Sequence, residues 1–240
     1  MAILKLGSKI SKGLVHPARA ASLLRAVASH RAWLARLTGA SKDDLEKYAQ
    51  ELRSEMLYER LVKSLDEAGA RRGAMVGPFR APLLYIICRA LRPEILVETG
   101  TSSGLSTALI LSALEKNGQG RLYSIDYPFD VHGTTLPPGR ETGWLVPQHL
   151  RQRWELVIGK SQDKLPTLLK GTGQIDLFLH DSEHTYEAML WEFKTAWPHL
   201  RPGGILLSDD VLWNRAFVDF CRHARPVYRK VFHSLGAERK

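Results

Sequence analysis

Hydrophobic and polar positions follow two rhythms along this chain, and the change between them falls near Glu94. Before it, apolar residues recur at helical spacing. From Pro17 onward, Ala20, Leu23, Leu24, Val27, Leu34 and Leu37 share one face while Arg25 and Arg36 point away, which predicts an amphipathic helix. Ser41 with Asp44 three residues on resembles a capping-box helix start, and Leu45, Tyr48, Leu52, Met56 and Leu61 supply a second helical stripe. A breaker-rich link, GAMVGPFRAP, leads into a short apolar helix, LLYIICRAL.

After Glu94 the apolar runs shorten. EILVE, RLYSID, WELVI, IDLFLHD and GGILLSDD read as five strands, with helical LSTALILSALEKN and YEAMLWEFKTAW among them. Strands alternating with helices predict an α/β domain with a Rossmann-like, doubly wound, mostly parallel sheet and an N-terminal helical extension. The boundary is drawn between residues 1–70, the extension, and 71–240, the sheet domain. Beyond Asp210, a helix in LWNRAFVDFCRHA and a strand in VYRKVF fit, with a very short last strand if a terminal hairpin forms.

Doubly wound sheets bind ligands beyond the carboxyl ends of their strands, so the residues just past each strand carry the chemistry. The first strand runs into VETGTSSG, where Gly100 and Gly104 allow a tight turn and close ligand approach. The spacing G-x-x-x-G does not match the dinucleotide fingerprint G-x-G-x-x-G. Glu98 before the turn suits a cationic ligand better than a pyrophosphate. Asp126, 26 residues after Gly100 and at the tip of the second strand, is placed to accept both hydroxyls of a ribose; the plainer reading is a solvated loop aspartate.

The fourth strand ends in Asp181 and the fifth in Asp209 and Asp210. On adjacent parallel strands these three carboxylates converge, and mutually repelling anions call for a cation, with oxygen ligation suiting Mg2+ better than zinc. The plainer reading is a helix cap and a solvated side chain. His184, three residues after Asp181, stands where it can take a proton from a substrate hydroxyl, or can simply cap the next helix. His180 reads as structural, and Tyr186, Trp191 and Trp197 as core.

The order E-x-G-x-x-x-G, then an acid at the next strand end, resembles the class I S-adenosylmethionine-dependent methyltransferases over about residues 70–235. Across IDLFLHDSEHTYEAMLWEFKTAWPHLRPGGILLSDDV it is similar to the small O-methyltransferases of macrolide-sugar and catechol type. The resemblance implies S-adenosylmethionine as cofactor, held by Glu98, Gly100, Thr101, Gly104, Ser106, Asp126, Ser161, Gln162 and Asp181. It implies a divalent metal, Mg2+, on Asp181, Asp209 and Asp210, and His184 as the base. Relatives often carry an acid where Lys160 stands, in GKSQD beside the adenine.

Charge refines the picture. The net charge is +9, but residues 1–42 hold four Lys, four Arg and no acid, and residues 211–240 hold seven basic groups and two acidic ones, which leaves the middle acidic. That is no uniform nucleic-acid surface. The basic N-terminal helix suits docking on its own domain or on a second copy, or peripheral contact with an anionic membrane. Cys88 and Cys221 form no CxxC pair and suit a reducing, cytoplasmic setting. The acceptor is expected to be a small molecule or sugar hydroxyl, in a pocket shaped by the loop containing His132, Arg140, Trp144 and His149. A metal-independent methyltransferase, a nucleotide-binding oxidoreductase on the same sheet and a non-enzymatic adaptor are the alternatives.

Overall fold

The computed structural model describes residues 31–69, 80–130, 133–134 and 136–240. The first part of the expected amphipathic helix, most of the breaker-rich link and His132 lie outside the described residues. Residues 31–38 are helical, with Trp33, Leu34 and Leu37 buried. Trp33 stacks on Phe232 with ring centroids 5.8 Å apart, and the Arg36 guanidinium lies over Tyr228. This part of the helix is docked on its own domain.

The second helical stripe divides in two. Helix α1 (Lys42–Ser54) starts at a Ser41 cap whose hydroxyl accepts from the Asp44 N–H at 3.1 Å. It ends where Met56 turns left-handed (φ 51°), and α2 (Leu57–Glu67) follows. Helix α3 (Ala81–Leu91) carries Arg89, which grips Glu51 of α1 through Nε (2.7 Å) and Nη2 (3.1 Å). The extension therefore shares one apolar core with the layer of helices on the sheet.

That sheet has seven strands: β1 (Ile95–Thr99), β2 (Arg121–Asp126), β5 (Trp154–Ile158), β6 (Ile175–His180), β7 (Leu200–Ser208), β8 (Tyr228–Phe232) and β9 (Leu235–Arg239). Between β2 and β5 lies a small separate ribbon, β3 (Phe129–Asp130) with β4 (Gly133–Thr134). The sheet order is β5-β2-β1-β6-β7-β9-β8, parallel from β5 to β7 and antiparallel at β9 and β8. Side chains alternate across it. Leu96, Leu177, Leu179, Ile205 and Leu207 face α3 and α4 (Leu105–Asn117), while Val97, Phe178 and Leu206 face α5 (Ser161–Thr172), α6 (Tyr186–Ala196) and α7 (Ala216–Ala224). Helix α4 is buried on all sides along its first ten residues, as its evenly apolar sequence requires.

The fifth strand begins at Leu200 and stops before the acidic pair. The terminal hairpin departs from the expectation of a very short last strand: β9 spans five residues, paired on both sides. Its sequence, LGAER, hides this because a glycine and a fully buried glutamate, Glu238, interrupt the apolar alternation. Among the described residues no helix is long and apolar enough to cross a membrane.

Gly236 tests this edge of the fold. A Cβ there would lie 2.6 Å from the Phe217 ring and 2.8 Å from Val211. Phe217 is buried and has little room to yield. Gly236→Ala should therefore destabilise the protein by about 1–3 kcal/mol, the usual cost of overpacking, seen as a lower urea midpoint with an unchanged m-value. A midpoint equal to that of the parent would contradict the docking of α7 on β9.

Candidate active site

The ladder of the parallel sheet runs one residue past its strands. Gly159 N–H donates to the Asp126 carbonyl (2.9 Å), Gly100 to Ile125 (2.9 Å), Asp181 to Thr99 (2.8 Å) and Asp209 to His180 (2.9 Å). Gly159, Gly100, Asp181 and Asp209 thereby form a backbone shelf at the carboxyl edge, with Asp126 beside it. Four of the five expected strand ends form it, and the fifth, Asp126 of β2, adjoins it.

The glycine turn is held from below. Glu98 is fully buried and accepts from the hydroxyls of Ser106 (2.8 Å), Thr107 (2.8 Å) and Ser124 (2.7 Å). Burial pushes its carboxyl up to about 7, and the three donors oppose that rise. Glu98 and Ser106, both expected to touch the cofactor, are thus turned toward each other and stiffen the turn. Gly100 (φ 86°) leaves no room for a side chain, since a Cβ would sit 1.9 Å from the Asp181 carbonyl oxygen. At Gly104 (φ 90°) the close neighbours are Gly143 and Val146.

Asp126 is nearly buried. Its Oδ1 accepts from the N–H of Thr101 (2.9 Å) and of Ser102 (3.3 Å), and its Oδ2 from the Thr142 hydroxyl (3.0 Å). A carboxylate has about four acceptor sites, so capacity remains for ribose hydroxyls. The Thr101 hydroxyl is buried with no partner among the described residues. These features fit S-adenosylmethionine. Ser161, half-buried, and Gln162, exposed, open α5 just beyond β5. Beside them Tyr127, Phe129 and Ile158 are exposed apolar side chains, with Lys160 over the Tyr127 ring. Sequence reading missed this apolar platform, although Tyr127 directly follows the acid. It also missed Thr142, in a loop whose Gly143 and Leu145 N–H groups donate to the Ser102 and Ser103 carbonyls (2.8 and 3.0 Å). Of the other loop residues, Arg140 lies over the ring of Trp144, and His149 is exposed.

At the fourth strand, His180 is structural as expected. It is fully buried and its Nδ1 is hydrogen-bonded to Glu192 of α6 at 2.7 Å. Glu192 also accepts from Thr99 (2.5 Å) and Ser182 (2.8 Å). Burial alone would raise the Glu192 carboxyl, but His180 and the hydroxyl donors hold it below its ordinary value. His184 lies just before the Thr185 cap of α6, its Nε2 3.8 Å from Asp181 Oδ1. That Nε2 is buried and has no hydrogen-bond partner among the described residues. Burial, and next His180, lower the His184 pKa to about 4. The ring is therefore neutral at pH 7.

Asp181 and Asp209 lie close enough to perturb each other. Burial and then Asp209 raise Asp181 well above the carboxylate range, and burial pushes Asp209 up to about 6 although Arg80 opposes it. Arg80, just before α3, was not singled out from the sequence. Its Nη1 contacts Asp209 Oδ1, Asp210 Oδ1 (2.8 Å) and the Ser234 hydroxyl at the tip of the β8–β9 hairpin. Ser234 in turn donates to Asp210 at 3.1 Å. The expected metal cage of Asp181, Asp209 and Asp210 does not fit this arrangement. One oxygen of Asp209 and one of Asp210 are already held by the Arg80 guanidinium, and two unit charges 4 Å apart at an effective dielectric of about 20 interact by about 4 kcal/mol. Among the described residues no group of three or more His, Cys, Asp or Glu is arranged to hold a metal ion.

The parallel sheet is closed by a reversed hairpin, with a G-x-x-x-G turn after β1 and an acid ending β2, as the sequence resemblance leads one to expect. Residues 97–211 match the methyltransferase domain family. A curated catechol O-methyltransferase from Niastella koreensis is 27% identical over 161 residues, 66% of this chain and 67% of that protein. The fold is shared with the O-methyltransferase from Bacillus cereus in complex with SAH, at a TM-score of 0.55 and 16% identity over 82% of this chain and 100% of that one. It is shared too with the O-methyltransferase TomG from Streptomyces achromogenes, involved in tomaymycin synthesis and in complex with SAM, at 0.52 and 20% over 88% and 96%. Fold and family match agree that residues 97–211 carry a class I, S-adenosylmethionine-dependent methyltransferase domain.

Two substitutions test the shelf. Asp126→Ala should weaken S-adenosylmethionine binding by about 1.5–3 kcal/mol, the scale of charged hydrogen bonds, as measured by calorimetry on folded protein. Gly100→Ala should be more severe and disturb both the turn and the Asp181 backbone, lowering thermal stability as well as affinity. Normal affinity in both variants would remove the shelf as the cofactor site.

Proposed function

We propose that this protein is an O-methyltransferase that uses S-adenosylmethionine to methylate a hydroxyl group of a small molecule. The observation that carries this reading is the unpartnered, neutral Nε2 of His184 beside the shelf. A proton acceptor there suits a hydroxyl nucleophile, which must lose its proton as it attacks. The curated catechol O-methyltransferase and TomG are O-methyltransferases by name, which supports oxygen as the acceptor atom.

Asp126 and the Thr101 hydroxyl bind the ribose and neighbouring polar atoms, and Tyr127 and Ile158 flank the adenine, with Ser161 and Gln162 at its edge. Gly100 and Gly104 let the backbone approach the amino-acid part. Bound S-adenosylmethionine supplies a methyl carbon whose bond to sulfur breaks with the electron pair staying on sulfur. His184 Nε2 receives the acceptor's hydroxyl proton as the new C–O bond forms. His180, fixed by Glu192, packs edge-on against the His184 ring at 5.3 Å and orients it. Leu212 and Trp213 are 68% and 70% exposed, and the Trp213 ring stands 5.3 Å from His184. They offer an apolar ledge for the acceptor's ring.

Incubation with methyl-labelled S-adenosylmethionine and a panel of hydroxylated small molecules should yield a labelled methyl ether. Binding of NAD in preference to S-adenosylmethionine would sink the reading. A base works only when deprotonated, so activity should rise as pH increases through the His184 pKa. Because burial lowers that pKa, the limb should fall near pH 4 and activity should be level through pH 6.5. His184→Ala should abolish the limb and lower kcat by about 10²–10⁴-fold. Near-normal turnover of that variant on its best acceptor would remove His184 as the base.

A further inference from the structure

We propose that Arg80 stands in place of a divalent cation at the strand-end carboxylates, so that this chain transfers methyl groups without a metal. The proposal rests on the methyltransferase reading for its catalytic half, but its structural half stands on geometry alone.

Arg80 Nη1 bridges Asp209 Oδ1 and Asp210 Oδ1, one oxygen from each of two consecutive carboxylates, and the Ser234 hydroxyl completes its surroundings. The pair is well shielded, with side-chain exposures of 15% for Arg80 and 4% for Asp209. A guanidinium keeps its charge at any working pH and presents five N–H donors in a planar fork. Here it holds a permanent positive charge against the acidic pair, which a dissociable ion supplies only at sufficient concentration. Mg2+ also prefers near-ideal octahedral geometry and retains several waters. Arg80 Nη1 is within hydrogen-bond distance of the two carboxylate oxygens that such an ion would share.

Among the described residues all the recorded contacts of Arg80 run through Nη1. Nε and Nη2, without a recorded partner among the described residues, are the donors we assign to an acceptor oxygen. They would hold that oxygen and favour its anionic form as His184 removes the proton. A metal does the same by lowering the hydroxyl's pKa. Arg80 would then act on the acceptor as a fixed positive charge, and a lysine would supply the charge without the planar fork.

The experiment compares the full-length protein with Arg80→Ala and Arg80→Lys. Each is stripped of metal with EDTA, then titrated with Mn2+ by electron paramagnetic resonance and assayed with labelled S-adenosylmethionine. The parent should bind no Mn2+ that Asp209→Asn removes, and its turnover should change less than twofold on chelation or on addition of Mg2+. Arg80→Ala frees the acidic pair and should gain a Mn2+ site while retaining S-adenosylmethionine affinity, with kcat reduced at least tenfold. Arg80→Lys should keep a positive charge beside the pair and bind no Mn2+. Stoichiometric Mn2+ binding by the parent that is lost in Asp209→Asn, or loss of turnover in EDTA restored by Mg2+, overturns the proposal without an Arg80 variant having to fold. If no acceptor is methylated at all, the methyltransferase reading fails, and the Mn2+ titration still decides the role of Arg80.

Discussion

The site depends on continuation of the backbone ladder by one residue beyond each parallel strand. Thr99 pairs with His180 and His180 with Ser208 in register, and the next residues, Gly100, Asp181 and Asp209, are each held by a neighbouring strand's carbonyl. Loops usually carry function at the cost of order. Here the first residue of each loop is hydrogen-bonded as firmly as the strand before it. Side-chain positions at the shelf are therefore set by sheet register, and that register is set by the apolar alternation of Leu96, Leu177, Phe178, Leu179 and Ile205 to Leu207.

Two buried carboxylates support the shelf from opposite faces. Glu98 gathers hydroxyls from α4 and β2, and Glu192 gathers His180, Thr99 and Ser182. Each would be costly to bury alone, and each is tolerated because its partners come from several elements at once. These hubs tie the turn and His180 into the hydrogen-bonded interior, and His184 packs against that interior through its ring. A third carboxylate group, Asp209 with Asp210, is satisfied in a different way, by an arginine from the helical side and a serine from the hairpin tip.

Much of this was readable from residue order. Strand ends, glycine turn, Asp126, the structural role of His180 and the position of His184 all follow from local patterns, because strands and turns are local. The unreadable parts join residues far apart. Arg80 lies 129 and 130 positions from its two aspartates and 154 from Ser234, and no periodicity marks such a meeting. Thr142 sits in a polar loop whose composition says nothing about which residue reaches Asp126. The place of Glu98 before the turn is legible, but the three hydroxyls around it are not, because Ser106, Thr107 and Ser124 lie on other elements. The last strand was underestimated because Gly236 and Glu238 face neighbours, Phe217 and Cys221, that only the folded chain supplies.

The contact between Gly100 and Asp181 has a mechanical meaning. The glycine Cα rests directly against the Asp181 carbonyl with no space for even one methyl group, so neither can be displaced toward the other. Two loops that begin on different strands thus behave as meshed teeth of one gear. Any shift of the turn toward β6 therefore moves the backbone that carries Asp181, and the two strand ends keep their registration by contact alone.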